Sequence, residues 1–267
     1  MNQIKADRPV LEVNQLKVDF ACKDHLVHAV KGVSLKVMPG KITALVGESG
    51  SGKSVTAMAI MNLLDPPGVI AEGQVILSGQ DFLQLSPRQQ RKILGKQVGV
   101  VFQDPFESLN PRIKIGSLLI ETICTNQKVS KKQAEEIAVD LLIKVKLRHV
   151  RKVMKEYSHQ LSGGMCQRVM IAMAMAQKPA LLIADEPTTA LDVMVQGRIL
   201  EEILQLKENH NTGILFITHD LGVVAEVADD VYIMRQGKII EEGDVFQVFD
   251  QPRHPYTKEL IQSILAV

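Results

Sequence analysis

No stretch of the 267-residue chain approaches the ~20 apolar residues of a membrane-spanning helix, and the opening segment MNQIKADRP lacks the apolar core of a secretory leader. Any membrane association is therefore expected to come through partners. Blocks of like charge are missing too. With 31 basic against 30 acidic residues the net charge is +1, so the electrostatic footprint of a nucleic-acid binder is absent. Cysteine is scarce: Cys22, Cys124 and Cys166 are an odd number without metal-ligand spacing, which implies no disulfide framework and fits a reduced, cytoplasmic protein. There is no internal repeat at a domain-sized period. What the chain does have is apolar content, 46% of residues, ample for the core of one large or two small domains.

Two stretches organise the rest. In the first, Leu161 to Asp192, Ser162-Gly163-Gly164 precede a run with apolar residues at Val169, Ile171, Ala172, Met175 and Ala176, so the glycines sit where a helix begins. Unpaired N–H groups and the helix dipole make such a terminus an anion site, and glycine removes the side chains that would keep a phosphate away. After Lys178-Pro179, the apolar run Leu181 to Ala184 suits a buried parallel strand that delivers Asp185 and Glu186 at its carboxyl edge. In the second, Gly47-Glu48-Ser49-Gly50-Ser51-Gly52-Lys53-Ser54 fits G-x-x-x-x-G-K-[ST] without a mismatch. The apolar run Ile42 to Val46 precedes it and a helical pattern over Val55 to Leu64 follows, the order a P-loop requires. Its N–H groups are expected to cradle phosphates, with Lys53 on the β/γ oxygens and the Ser54 hydroxyl on Mg²⁺.

Together these motifs resemble the ATP-binding cassette family. LSGGM at Leu161 to Met165 is similar to the signature LSGGQ, with Met165 in place of Gln and Gln167 two positions on; LLIADE resembles the acidic strand, and Ala190-Leu191-Asp192 the D-loop. The resemblance covers nearly the whole chain. It implies an α/β fold: a P-loop NTPase nucleotide-binding domain with a RecA-like core, an antiparallel β subdomain and a helical subdomain. Residues 10–250 would form that domain, with the helical subdomain at about 104–160, and residues 251–267 a C-terminal tail.

In chain order, Leu11 to Phe20 alternates imperfectly and His28 to Val37 more clearly, as two strands. The resemblance makes Phe20 the residue that stacks on adenine; the residues alone fit a core or strand-edge Phe equally. Asp65-Pro66-Pro67-Gly68 is expected to end the P-loop helix, with a strand at Gln74 to Leu77. Ser86-Pro87-Arg88-Gln89 and Ser130-x-x-Gln133 carry helix-start signatures. Val98 to Phe102 reads as a strand ending at Gln103, ahead of a breaker-rich loop over Asp104 to Pro111. Gln103 would be an ordinary polar residue but for the resemblance, which makes it the Q-loop glutamine that senses Mg²⁺ and the attacking water. The locally basic run Lys144 to Lys155 is expected to point its charges to solvent, and the methionines after Gly164 to pack in the core. Cys166 is expected to be a packed side chain rather than a reactive thiol.

Gly213 to Thr218 reads as a strand ending in His219, which the resemblance makes the H-loop histidine at the γ-phosphate. Val231 to Met234 and Lys238 to Glu241 flank a hairpin turn, and Asp244 to Phe249 a short helix. The tail HPYT, His254 to Thr257, resembles the C-terminal motif of peptide and nickel importer ATPases. No cysteine lies beyond Cys166, so no iron–sulfur cluster is expected.

The resemblance thus implies an ATP-hydrolysing importer subunit for peptides or nickel complexes. ATP and Mg²⁺ would be its cofactors, with Asp185 holding the metal, Glu186 as general base, and His219 and Gln103 completing the site. Ser162 to Gly164 would serve ATP held by a second cassette subunit, expected to be a distinct chain. Further implied partners are two transmembrane permeases and an extracytoplasmic binding protein, with no nucleic acid. The location would be peripheral, at the cytoplasmic face of the membrane. The competing reading, a soluble cassette ATPase acting on ribosomes or DNA, is disfavoured by the absent basic patch and the HPYT tail. An exporter is disfavoured by the absent membrane spans.

Overall fold

The computed structural model describes residues 8–23, 25–188 and 191–265. In chain order its elements begin with β1 (Leu11–Ala21), β2 (Leu26–Val37), β3 (Ile42–Val46), α1 (Lys53–Ile60), β4 (Gly68–Leu77), β5 (Gln80–Asp81), α2 (Pro87–Gln97) and β6 (Val98–Val101). There follow α3 (Pro105–Ser108), α4 (Ile115–Asn126), α5 (Lys131–Lys144), α6 (Val150–Val153), α7 (Gly163–Gln177), β7 (Leu181–Asp185) and α8 (Val193–His210). The last are β8 (Gly213–Thr218), α9 (Leu221–Val227), β9 (Asp230–Arg235), β10 (Lys238–Asp244), α10 (Val245–Asp250) and α11 (Pro255–Leu265). The chain divides into two compact units, one made of the residues up to Lys92 and those from Gly213 onward, the other of Ile93–Thr212.

The first unit holds an antiparallel sheet in the order β2-β1-β4-β5. Its imperfect alternation has a physical cause. Leu11 and Val13 are buried, but so are Leu16 and Val18, so the inward phase slips by one residue. The slip is a bulge at Gln15, whose φ of 48° is left-handed and whose N–H donates to Ser34 Oγ at 3.0 Å. On the partner strand Gly73 (φ 109°) lies so close that a Cβ there would stand 2.6 Å from Leu16 Cα. The same unit carries β3 between β8 and β9, parallel to both, with β9 turning through Gln236-Gly237 into antiparallel β10. Every residue of β3 and β8 is buried, which is why both read as continuous apolar runs rather than alternating ones.

α1 stops at Ile60, four residues short of the Leu64 suggested by the sequence pattern. Asn62 adopts a left-handed φ of 53°; its N–H donates to Ala59 O at 3.0 Å and the Leu63 N–H to Met58 O at 2.9 Å. This paired closure satisfies the last carbonyls before the prolines are reached.

The second unit pairs β6 with β7 in parallel, Val101 opposite Ala184. Around this pair are helices, with α4 packed on α5 and α7. Leu119, Ile123, Ala138, Leu142 and Val169 are fully buried there, each large one contributing about 1.5–3 kcal/mol of hydrophobic stabilisation. The expected capping box at Ser130 is present: its N–H donates to Gln133 Oε1 at 2.9 Å, and Gln133 N–H to Ser130 Oγ at 3.3 Å. The breaker-rich loop contains one helical turn, α3, which Asp104 starts by accepting the Phe106 N–H at 2.8 Å. In the basic run, Lys144, Lys146, Arg148, Arg151, Lys152 and Lys155 are exposed and Val145, Leu147, Val150 and Val153 buried, as the spacing implied. No described helix is long and apolar enough to cross a membrane.

Candidate active site

In the first unit the P-loop begins where β3 ends. Gly47 can carry no side chain: a Cβ would stand 2.1 Å from the Met234 carbonyl oxygen and 2.8 Å from Ser51 Oγ. Gly52, at φ 107°, caps α1 in a conformation that other residues rarely adopt, and a Cβ there would meet Ala29 O at 2.8 Å. Lys53 is only 7% exposed. Its ammonium lies in the concavity of the loop, donating to Gly47 O at 2.7 Å and Glu48 O at 2.9 Å. The β9–β10 turn buttresses the loop, the Gly237 N–H donating to Ser51 O at 2.9 Å.

This loop fits a polyphosphate on its own geometry. Ser51 is 5% exposed, and its hydroxyl oxygen is buried without a hydrogen-bond partner in the protein, an arrangement that costs free energy until a ligand supplies one. Gly50, at φ 77°, opens onto space. Ser54, Ser49 and Glu48 complete the loop, with Glu48 and Ser49 exposed and Ser54 half-buried.

Because β3 and β8 run parallel with Val46 opposite Thr218, the residues that follow, Gly47 and His219, leave the sheet at the same carboxyl edge. His219 is exposed there, and the next residue, Asp220, caps α9 by accepting from Gly222 N–H at 2.9 Å. Phe20 is half-buried at the end of β1, opposite Gly68, whose missing Cβ leaves room for its ring: a Cβ would stand 2.7 Å from Phe20 Cε1.

The second unit has its own carboxyl edge. Asp185 ends β7 and is 7% exposed; Glu186 follows at 6%. Glu186 holds a left-handed φ of 50°, a strain of about 1–2 kcal/mol for a residue with a Cβ, and such strain concentrates where a side chain must be aimed. Its carbonyl accepts from Gln167 Nε2 at 3.1 Å. Gln167, fully buried on α7, is thus the support of the acidic turn, a role that sequence spacing gave no sign of. Gln103 is exposed two residues past β6, at the same edge of this parallel pair.

Ser162 caps α7, its Oγ accepting the Met165 N–H at 3.4 Å, while Leu161 is 7% exposed and Gly163, Gly164 and Met165 are half-buried. Arg168 holds this turn from behind, donating to Gly164 O at 3.0 Å and Lys146 O at 2.9 Å. Burial lowers the Arg168 pKa from its ordinary value, and the charge of Asp192 works against that. Asp192 caps α8 through Val195 N–H at 3.0 Å; Ala190, the first residue of the D-loop triplet, lies outside the described residues. Cys166 is the packed side chain expected: fully buried, its thiol donates to Ser158 O at 3.3 Å, and burial pushes its pKa up to about 11.

The sequence profile of the ABC transporter family matches residues 30–189, from β2 through the acidic turn. The chain belongs to the ABC transporter family. It is similar to the oligopeptide transport ATP-binding protein OppD of Bacillus subtilis (47% identity over 256 residues, 96% of this chain and 72% of that protein). It is also similar to the dipeptide transport ATP-binding protein DppD of Escherichia coli (44% identity, 96% of this chain and 78% of that one). Among solved structures, a dimeric post-hydrolysis state of the ATP-binding cassette MJ0796 bound to ADP and Pi superposes with a TM-score of 0.79 at 25% identity, over 88% of this chain and 98% of the other. The fold is accordingly the α/β P-loop ABC cassette, and this ABC protein is an ATPase whose activity is coupled to transport.

Proposed function

We propose that this chain is the ATP-hydrolysing subunit of a peptide importer. The observation that carries the reading is the near end-to-end likeness to oligopeptide and dipeptide transport ATP-binding proteins. The chain sits peripherally at the cytoplasmic face of the membrane on two permease subunits, served by an extracytoplasmic binding protein. It pairs head to tail with a second, distinct cassette subunit. Each chain lends Leu161–Met165 and its D-loop Asp192 to the nucleotide held by the other, and closure on ATP followed by reopening drives the permeases.

Phosphoryl transfer to water requires positioning and charge stabilisation rather than covalent chemistry. Lys53 and the amides of Gly47–Ser54 take the phosphate oxygens, and Phe20 offers its face to the adenine. Among the described residues no cluster of three or more His, Cys, Asp or Glu could hold a metal. Mg²⁺ is bound through few protein oxygens plus substrate phosphates and water. Ser54, Gln103 and Asp185 are the all-oxygen set that would hold it, and Mg²⁺ there would supply neutralisation of phosphate charge. Glu186 accepts a proton from the attacking water, while His219 contacts the γ-phosphate and orients that water.

The test is to purify the tagged chain from detergent-solubilised native membranes and identify its companions by mass spectrometry. Two multi-span permeases with a second cassette ATPase, and ATPase activity stimulated by a peptide-loaded binding protein, are expected. Recovery with ribosomal proteins or DNA and no membrane protein would overturn the importer reading.

A further inference from the structure

The HPYT segment has a mechanical reading at each position. Pro255 is the first residue of α11, where a missing N–H costs nothing. His254 precedes it as the cap, its Nδ1 accepting the Tyr256 N–H at 3.1 Å and its carbonyl the Lys258 N–H at 3.2 Å. Glu241 on β10 clamps the entry to this helix: one carboxylate oxygen accepts the Arg253 N–H at 2.7 Å and the other the His254 N–H at 3.0 Å. Tyr256 is 3% exposed. The Arg235 guanidinium lies over its ring, 4.4 Å from the centroid, and its hydroxyl accepts the Glu48 N–H at 3.3 Å.

That last bond reaches the P-loop at a telling place. The N–H of Glu48 and the carbonyl of Gly47 belong to one planar peptide. Tyr256 holds this plane at its N–H end; Lys53 Nζ is held by its carbonyl end at 2.7 Å. Rotation of the plane would move the acceptor of the lysine ammonium. The tail is thus linked through a single rigid group to the main cation of the loop.

We propose that Tyr256 is a positioning residue for nucleotide binding, the HPYT turn acting as a strut from the β9–β10 hairpin to the Gly47–Glu48 peptide. It acts through Lys53 and touches no nucleotide itself. This inference rests on the reading of Gly47–Ser54 as the ATP-binding loop.

The experiment titrates the full-length protein with a non-hydrolysable ATP analogue and Mg²⁺, and records melting without nucleotide for each variant. Tyr256→Phe keeps the ring and its stack under Arg235 while deleting the hydroxyl. It is expected to weaken analogue binding ~3–10-fold, the equivalent of about 0.7–1.4 kcal/mol, with the nucleotide-free melting midpoint lowered by no more than about 1–5 °C, so that the protein stays folded throughout the titration. In the assembled transporter the same change should appear in KM for ATP and spare kcat. Wild-type binding with undiminished Tyr256→Phe affinity overturns the strut and leaves the ATP reading intact. A wild-type protein that binds no analogue overturns the ATP reading itself. Should Tyr256→Phe fail to fold, Arg235→Leu removes the stack alone: weakened binding supports the strut, and unchanged binding overturns it.

Discussion

Replacing Glu186 by glycine and by alanine separates what this residue does for chemistry from what its backbone costs. At φ 50° the backbone is left-handed, which costs a residue with a Cβ about 1–2 kcal/mol and glycine almost nothing. Glycine in turn loses about 0.5–1 kcal/mol more chain entropy on folding than alanine. Both variants delete the same buried carboxylate, so its packing and partners cancel in the comparison. The difference left over favours glycine by about 0.5–1 kcal/mol, the reverse of the usual order. For a chain of this size that is a rise of about 1–4 °C in the unfolding midpoint of Glu186→Gly over Glu186→Ala. Both variants, and the isosteric Glu186→Gln, should lose about 10²- to 10⁴-fold in ATP turnover if the carboxylate is the general base. The assay is parallel urea and thermal unfolding with phosphate release on the same preparations. An alanine variant as stable as the glycine variant would refute the strain. A glutamine variant turning over near the wild-type rate would refute the general-base role.

Other measurements probe the remaining parts. Lys53→Ala removes the ammonium that Gly47 O and Glu48 O hold, and should abolish the rise in melting midpoint that ATP gives the wild type. Iodoacetamide near pH 8 should label exposed Cys22 and spare buried Cys166 until the chain is unfolded; rapid native labelling of Cys166 would contradict its burial. Because the Cys166 pKa is raised to about 11 in the fold, its share of stability is full below the unfolded thiol value and is lost as pH climbs towards 11, a decline that Cys166→Ala should flatten. Burial raises the Glu241 carboxyl, but the Thr257 hydroxyl and the Arg253 and His254 amides outweigh it, leaving the pKa below the ordinary value. Its contribution is therefore present above the unfolded carboxylate range and lost as pH falls through the lowered one. The protection factors of the Arg253 and His254 amides, observed exchange taken relative to the intrinsic rate at the same pH, should fall under that acid and, at neutral pH, in Glu241→Gln.

The features legible in the sequence are those whose chemistry is local. A phosphate loop needs glycines at fixed offsets, a buried parallel strand needs an unbroken apolar run, and the box at Ser130 and Gln133 needs two particular side chains three residues apart. Each of these stands in the structure where the spacing put it. The bulge at Gln15 left only a blurred alternation, because a slipped phase looks like noise until the opposing strand is known. α1 ends at Ile60, closed by a left-handed turn at Asn62 that the stronger breaker Asp65-Pro66-Pro67 overshadowed. The support of the Glu186 carbonyl by Gln167 and the reach of Tyr256 to the Glu48 amide join residues far apart in the chain, which no local pattern encodes. The phosphate-binding roles of Gly47–Ser54 came from pattern, whereas the roles of Phe20, Gln103 and His219 came from resemblance.

The pairing of β3 also bears on how the protein is made. Its two parallel neighbours are β8 and β9, so the strand that leads into the P-loop has no sheet partner until residues 213–235 have been synthesised. At about 5–20 residues per second, that interval is roughly 10–40 s. Throughout it the wholly apolar Ile42–Val46 segment is on the nascent chain with both edges unsatisfied, a template for pairing with another chain. A stalled or truncated product ending before β8 would carry that edge permanently. Residues 93–212 form an uninterrupted stretch and emerge complete before it is covered.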